Sequence, residues 1–255
     1  MTGAGSSSLL LGAGVLAGVI GTAGGITSLI AYPALLLVGL PPLPATVTGS
    51  VALVACWPGS ALASRPELAG TGRWVLRWGS VAAAGGATGA VLLVTTPPGV
   101  FGRIVPFLVA IGALALLLQS QVTGWRSRVS QRPPRTGHGA VLPAGVTMLS
   151  VYNGYFGAGS GVMLLALLLI TVDPKIAKAN ALKNMVVGFA SIIAAALFAI
   201  TAPVDWAAAV PLACGLFLGG TIGPRVARRL PATMLRWLVA LLGLALAVSL
   251  WLRPA

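Results

Sequence analysis

The sequence predicts an all-α polytopic membrane protein of two inverted repeats. Each repeat is a glycine-broken, re-entrant helix pair plus three transmembrane helices, about eight hydropathy segments in all. Three observations lead there. Of 255 residues, 57% are hydrophobic and only 7% charged, against about a quarter charged in an ordinary soluble domain. Mean hydropathy is +0.98, with the apolar residues gathered into long blocks. Two glycine clusters then recur 136 residues apart. Sixteen Lys and Arg with three Asp and Glu are too few to cover the surface of a soluble protein this size, so a soluble enzyme, a disordered chain and a disulfide scaffold are excluded.

Apolar blocks fall at 9–39, 45–64, 75–95, 101–119, 140–172, 176–200, 206–224 and 232–252. A simple crossing takes about 20 residues, and six blocks fit. The first and fifth exceed 30 residues. They contain Gly18-Val-Ile-Gly21-Thr-Ala-Gly24-Gly25 and Gly154-Tyr-Phe-Gly157-Ala-Gly159-Ser160-Gly161. Glycine weakens a helix by about 1 kcal/mol per residue, so each block is expected to break there into two half-length pieces. The chain divides into a first transmembrane repeat (1–119), an Arg-rich cytoplasmic connecting loop (120–139) and a second transmembrane repeat (140–255).

Basic loops orient the repeats. The net charge of +13 lies between apolar runs, where the positive-inside rule expects it, and needs no nucleic acid to explain it. If all eight blocks cross, the loop charges divide eight to seven between the faces. If blocks one and five are re-entrant, thirteen of those fifteen fall on one face, with only Arg103 and Arg253 opposite. The second arrangement gives each repeat three crossings and inverts the halves, with both termini outside. A long tilted helix would also absorb 30 residues. The N-terminus has no Lys or Arg before its apolar stretch and reads as a retained segment rather than a secretory signal. Cys56 and Cys214 read as small buried apolar residues. The seven Trp residues, Trp57 among them, mostly flank blocks as interfacial anchors.

Candidate chemistry sits at two places. At the glycine clusters (Gly24 and Gly25; Gly159, Ser160 and Gly161), half-helices would direct N–H groups and positive dipole ends to the bilayer centre, which favours an anion. The competing reading is close helix packing. In the sixth block, Asp173-Pro174 is expected to open a helix. Lys183 would then lie about 14 Å along it, where a lysine is costly and normally faces a cavity and a partner. Asn180 shares its face and Asn184 lies at the margin. No carboxylate is placed to pair with Lys183, so its partner is expected to be an anionic substrate. The alternatives are carbonyls around the amine, or an amine that burial keeps uncharged. Thr46, Thr48 and Ser50 occupy the equivalent helix of the first repeat, as hydroxyl donors or bonded to carbonyls one turn back. Asp205-Trp206 reads as a helix cap.

Other classes lack parts. Ala158-Gly159-Ser160-Gly161 suggests an intramembrane serine protease, but the one histidine, His138, lies in the connecting loop, so no base is at hand. No metal-ligand cluster, nucleotide loop or paired carboxylate is present, and no cofactor is expected. With no acid or His at depth, efflux of an anion driven by an inside-negative potential, about 2.3 kcal/mol per charge per 100 mV, is favoured over proton-coupled uptake.

These residues resemble the sulfite-exporter family TauE/SafE over nearly the whole chain. In the first half the likeness rests on the glycine cluster, Tyr32-Pro33, Gly39-Leu-Pro-Pro, Arg65-Pro-Glu-Leu-Ala-Gly70 and Pro97-Pro98. In the second it rests on Gly154-Tyr-Phe-Gly157-Ala-Gly159, Asn180-Ala-Leu-Lys183-Asn184, Pro203-Val-Asp205-Trp206 and Gly219-Gly-Thr-Ile-Gly223-Pro-Arg225. The resemblance implies a multi-pass transporter of the bacterial inner membrane that exports sulfite, a sulfonate or a related sulfur-containing anion. Where many relatives look like Asn-Val-Ser-Asn, this chain reads Thr46-Val-Thr48-Gly49, which replaces amide donors in the first repeat. The expected function is therefore export of a small anion by alternating access, with the lipid bilayer as surroundings. An anion channel using the same site, or a permease importing another small organic anion, are the alternatives.

Overall fold

A computed structural model of the chain describes residues 3–24, 27–129, 140–227 and 248, and every regular element among them is helical. Gly25, residues 130–139 of the connecting segment with His138, and nearly all of the eighth block lie outside the described residues. The helices are α1 (Gly3–Gly24), α2 (Thr27–Leu37), α3 (Pro42–Leu53), α4 (Cys56–Ala63), α5 (Arg65–Leu68), α6 (Gly72–Thr95), α7 (Pro98–Val129), α8 (Val141–Tyr155), α9 (Ser160–Thr171), α10 (Ile176–Thr201) and α11 (Trp206–Ala227). Five stretches among the described residues are long and apolar enough to cross a membrane, α3 and α4 counting as one. Leu76, Met148, Leu37 and Ile200 stand exposed, which suits a lipid-facing surface rather than an aqueous one.

Both expected breaks occur, with unequal pieces. The second block divides into 15 and 12 residues. A side chain on Gly145 would meet Leu167, so α8 and α9 fold back as an antiparallel hairpin. The first block divides into 22 and 11 residues, and here the expectation of two half-length pieces needs correction. Gly12, Gly14, Gly18 and Gly21 do not break α1. Its extra length comes partly from the small and polar start Gly3–Ser8; from Leu9 on it spans about 24 Å, close to α8.

Other boundaries also move. The helix that starts at Pro98 runs on to Val129, well into the segment read as a connecting loop. Asp173-Pro174 does not open α10. Lys175 is its extended N-cap, and the Asp173 carboxylate accepts the Lys175 N–H at 2.8 Å. Asp205 caps α11 as expected, accepting the Ala208 N–H at 3.1 Å. Cys56 is buried, whereas Cys214 is exposed. Its burial was expected from an apolar block, but a helix that meets its neighbours on one face exposes the other.

Packing crosses between the repeats. The most extensive helix contacts pair α1 with α11, α6 with α10 and α6 with α8, while α3 and α4 lie against α11. Glycines make this possible. A Cβ on Gly18 would lie 2.8 Å from both Gly219 Cα and the Leu216 carbonyl oxygen, and one on Gly14 would lie 3.0 Å from Gly215 Cα. Across α6, a Cβ on Gly86 would lie 2.8 Å from Ala190 Cα, and one on Gly154 would lie 2.9 Å from Gly86 Cα. The backbones touch directly, as small residues allow in membranes. Two apolar clusters result. One gathers around α1, α2 and α11, the other around α8, α9, α6 and α10.

Gly18→Ala should lower the thermal midpoint in detergent by several degrees, since overpacking costs about 1–3 kcal/mol. Gly12→Ala, which meets nothing within 4 Å, should leave it unchanged.

Candidate functional site

The turn of the second hairpin is built from residues 156–159. Gly157 and Gly159 have φ of +78° and +76°, a region that costs side-chain-bearing residues about 1–2 kcal/mol. Gly159 also lies against Gly112, whose Cα would be 2.7 Å from an added Cβ. Side chains hold the turn closed. The Tyr152 hydroxyl lies 2.7 Å from the Ala158 carbonyl, and the Ser160 hydroxyl lies 2.7 Å from Asn153 Oδ1 and 2.9 Å from the Gly157 carbonyl. Asn153 Nδ2 in turn donates to Ser191 Oγ on α10 at 3.0 Å.

The first hairpin is held from the opposite repeat. At the end of α1 the last carbonyls have no intrahelical partner. Thr22 O receives Asn180 Nδ2 at 2.9 Å and Asn184 Nδ2 at 3.4 Å, both from α10. Ser28, in the first turn of α2, donates to Gly157 O at 3.4 Å. The two hairpin turns therefore meet. The α2 end carrying Thr27 and Ser28 and the α9 end carrying Ser160 and Gly161 line one cavity of about 90 Å³. Both ends carry the positive pole of a helix dipole.

The rest of the wall comes from α10 (Lys183, Asn184, Val187, Gly188, Ser191) and from the junction of α3 and α4. That junction is a local break at Val54-Ala55. Pro58 has no N–H for the Val54 carbonyl, which instead accepts from Trp57 N–H at 3.1 Å. The break directs Cys56, Trp57 and Ser60 at the cavity. Gly188 leaves the space for the Trp57 indole: a Cβ there would overlap its ring atoms.

Three donors in this wall are buried without a hydrogen-bond partner among the described residues: Lys183 Nζ, Trp57 Nε1 and Ser60 Oγ. Lys183 is 1% exposed and Ser60 2%. The chain has three acids, Glu67, Asp173 and Asp205. None is in this wall. Glu67 is in α5, Asp173 pairs with Lys178 at 3.2 Å, and Asp205 caps α11. Among the described residues, no group of His, Cys, Asp and Glu comes together as a metal site.

The structure brings together only part of the predicted set. Lys183, Asn184, Ser160 and Gly161 line the cavity, and Gly159 is the N-cap of α9 beside it. Gly24 ends α1. Asn180 is not in the wall; its amide nitrogen is committed to Thr22 O. Thr46 and Ser50 bond Pro42 O and Thr46 O one turn back, and line a smaller cavity between α2 and α3. Thr48 accepts from the Asp205 N–H at 3.0 Å. Trp57, read as an interfacial anchor, is instead part of the wall, because the α3–α4 break turns it inward. Ser60, Asn153 and Ser191 were not singled out. An Asn four residues before Gly157 in an apolar block, and a proline next to Trp57, were the signals available.

The family model for sulfite exporter TauE/SafE matches residues 10–250. The chain is also 27% identical over 243 residues to the "Probable membrane transporter protein ORF9" of Sinorhizobium sp., covering 95% of this chain and 91% of that protein. No solved structure matches it.

Lys183 and Asn180 should separate in a thermal melt in detergent. Removing an unpaired buried charge is neutral or favourable, so Lys183→Met should melt no lower than the parent. Asn180→Leu strands the Thr22 carbonyl and should cost about 1–3 kcal/mol.

Proposed function

Because the chain belongs to the TauE/SafE sulfite exporter family and is thus a multi-pass membrane transporter, we propose that its cavity binds a small anion, sulfite or a related sulfur oxyanion, and releases it outward by alternating exposure to the two sides. The observation that supports this most is the set of three unpartnered donors around one cavity in a chain with no acid to meet them. A lysine at the centre of a membrane helix costs about 2.5–3.5 kcal/mol on insertion scales. An oxyanion seated among Lys183, Trp57 and Ser60 returns that energy as charge-assisted hydrogen bonds, each about 1.5–3 kcal/mol. The α2 and α9 N-termini add positive potential from the other side.

The cavity also suits the size of such a ligand. A single water needs roughly 10–15 Å³ measured this way, so 90 Å³ holds a small oxyanion with little water. In the re-entrant arrangement the hairpin turns lie near the bilayer centre, where irregular backbone is tolerated only if buried or lining a cavity. An inside-negative potential drives the anion out, by about 2.3 kcal/mol per charge per 100 mV.

In proteoliposomes with the potential clamped, sulfite flux should rise with an interior-negative potential and exceed that of short carboxylates. Lys183→Met should abolish it. Trp57→Phe and Ser60→Ala should each lower it about tenfold, the loss expected for one charge-assisted hydrogen bond. Flux equal to the parent's in Lys183→Met would remove that residue from the site, and unitary conductance in planar bilayers would indicate a channel.

A further inference from the structure

Beside the Lys183 cavity lies a second, smaller one between α2 and α3, lined by Ser28, Tyr32, Thr46, Ser50, Leu53 and Phe156 among others. Ser28 and Leu53 line both cavities, so the two adjoin. At about 20 Å³ the second holds roughly one water. Its polar groups are mostly spoken for, since the Thr46 and Ser50 protons are given to backbone carbonyls. Tyr32 is the exception. It is 6% exposed, and its hydroxyl has no hydrogen-bond partner among the described residues. Its ring meets Phe156 edge-on, with centroids 5.4 Å apart. Phe156 belongs to the turn of the second hairpin and is backed by the fully buried Phe101, 6.2 Å away.

We infer that this second cavity is the next subsite on the anion's path, with the Tyr32 hydroxyl as its donor and the Tyr32–Phe156 ring pair as the closed constriction; this rests on the reading of the Lys183 cavity as an anion site. A buried phenol without a partner carries a desolvation cost that an arriving oxyanion relieves. The space is too small for that anion as it stands, so the rings must part. Phe156 is placed for this. It follows directly on α8 and precedes Gly157 and Gly159, so a shift of the hairpin turn carries the ring with it. The same turn forms part of the first cavity, which couples filling of one to opening of the other. Tyr32 is thus a positioning residue for transit, separate from the donors that hold the anion at Lys183.

Two measurements on the full chain test this. In the first, radiolabelled sulfite binding to purified protein and counterflow in proteoliposomes are compared for the parent and Tyr32→Phe. Binding within twofold of the parent with counterflow reduced at least tenfold supports the inference. Counterflow within twofold, or loss of binding together with counterflow, overturns it. In the second, Ser50→Cys is labelled with a membrane-impermeant thiol reagent, with the parent's own cysteine labelling subtracted. Labelling should be slow, and at least tenfold faster when Phe156→Ala is added, or Phe156→Leu if the alanine variant does not fold. Equal rates overturn the constriction. The second readout needs no substrate: accelerated labelling in a chain that neither binds nor transports sulfite would keep the path and discard the sulfite reading.

Discussion

Interrupting a helix inside an apolar protein leaves backbone carbonyls and N–H groups that cannot turn to water, and the centre of this fold is organised around that constraint. The end of α1 and the turn before α9 are such interruptions. Each is relieved from the other half of the sequence. Asn180 and Asn184 on α10 reach back to Thr22 O, and Ser28 on α2 reaches Gly157 O. Neither hairpin is complete by itself. The cost of a broken helix therefore becomes the bond that ties the repeats together, and the point of tying is the point where ligand-sized space is left.

Within that space, the contrast between satisfied and unsatisfied groups separates scaffold from site. Asn180, Asn153, Ser160 and Thr48 spend their polar atoms on backbone or on each other. Lys183, Trp57 and Ser60 do not. The first set fixes geometry and the second is left for something that comes and goes. Cys56, in the same wall, adds polarisable bulk and no formal charge.

Much of this was legible in the sequence, for identifiable reasons. The glycine clusters announced the breaks, the duplication announced a matching pair, and a lysine without an acid announced the cavity. Helix register alone did not show which carbonyl would be left without a partner. That is why Asn180 was read as a ligand when it is a cap. Thr46 and Ser50 were balanced between donor and back-bonded roles because both fit the same i−4 geometry, and only the neighbours decide. Trp57 was misread because an aromatic next to a proline looks like a membrane-surface anchor, whereas Pro58 here loosens the Val54 carbonyl and swings the indole inward. The early glycines of α1 were not all breakers. Gly14 and Gly18 lie flat against Gly215 and Gly219, and the packing they permit outweighs their weak helix propensity.

Those flat contacts have a mechanical corollary. Where main chain rests on main chain there is no side chain to swivel, so a slide of even a fraction of an ångström meets hard atoms. The α1 and α11 pair therefore behaves as one strut, and α6 with α8 as another. Each strut draws one rod from the first half of the gene product and one from the second. Sliding is confined to the seams filled by adaptable side chains, so the bodies that shear past one another are mosaics of the two ancestral copies rather than the copies themselves.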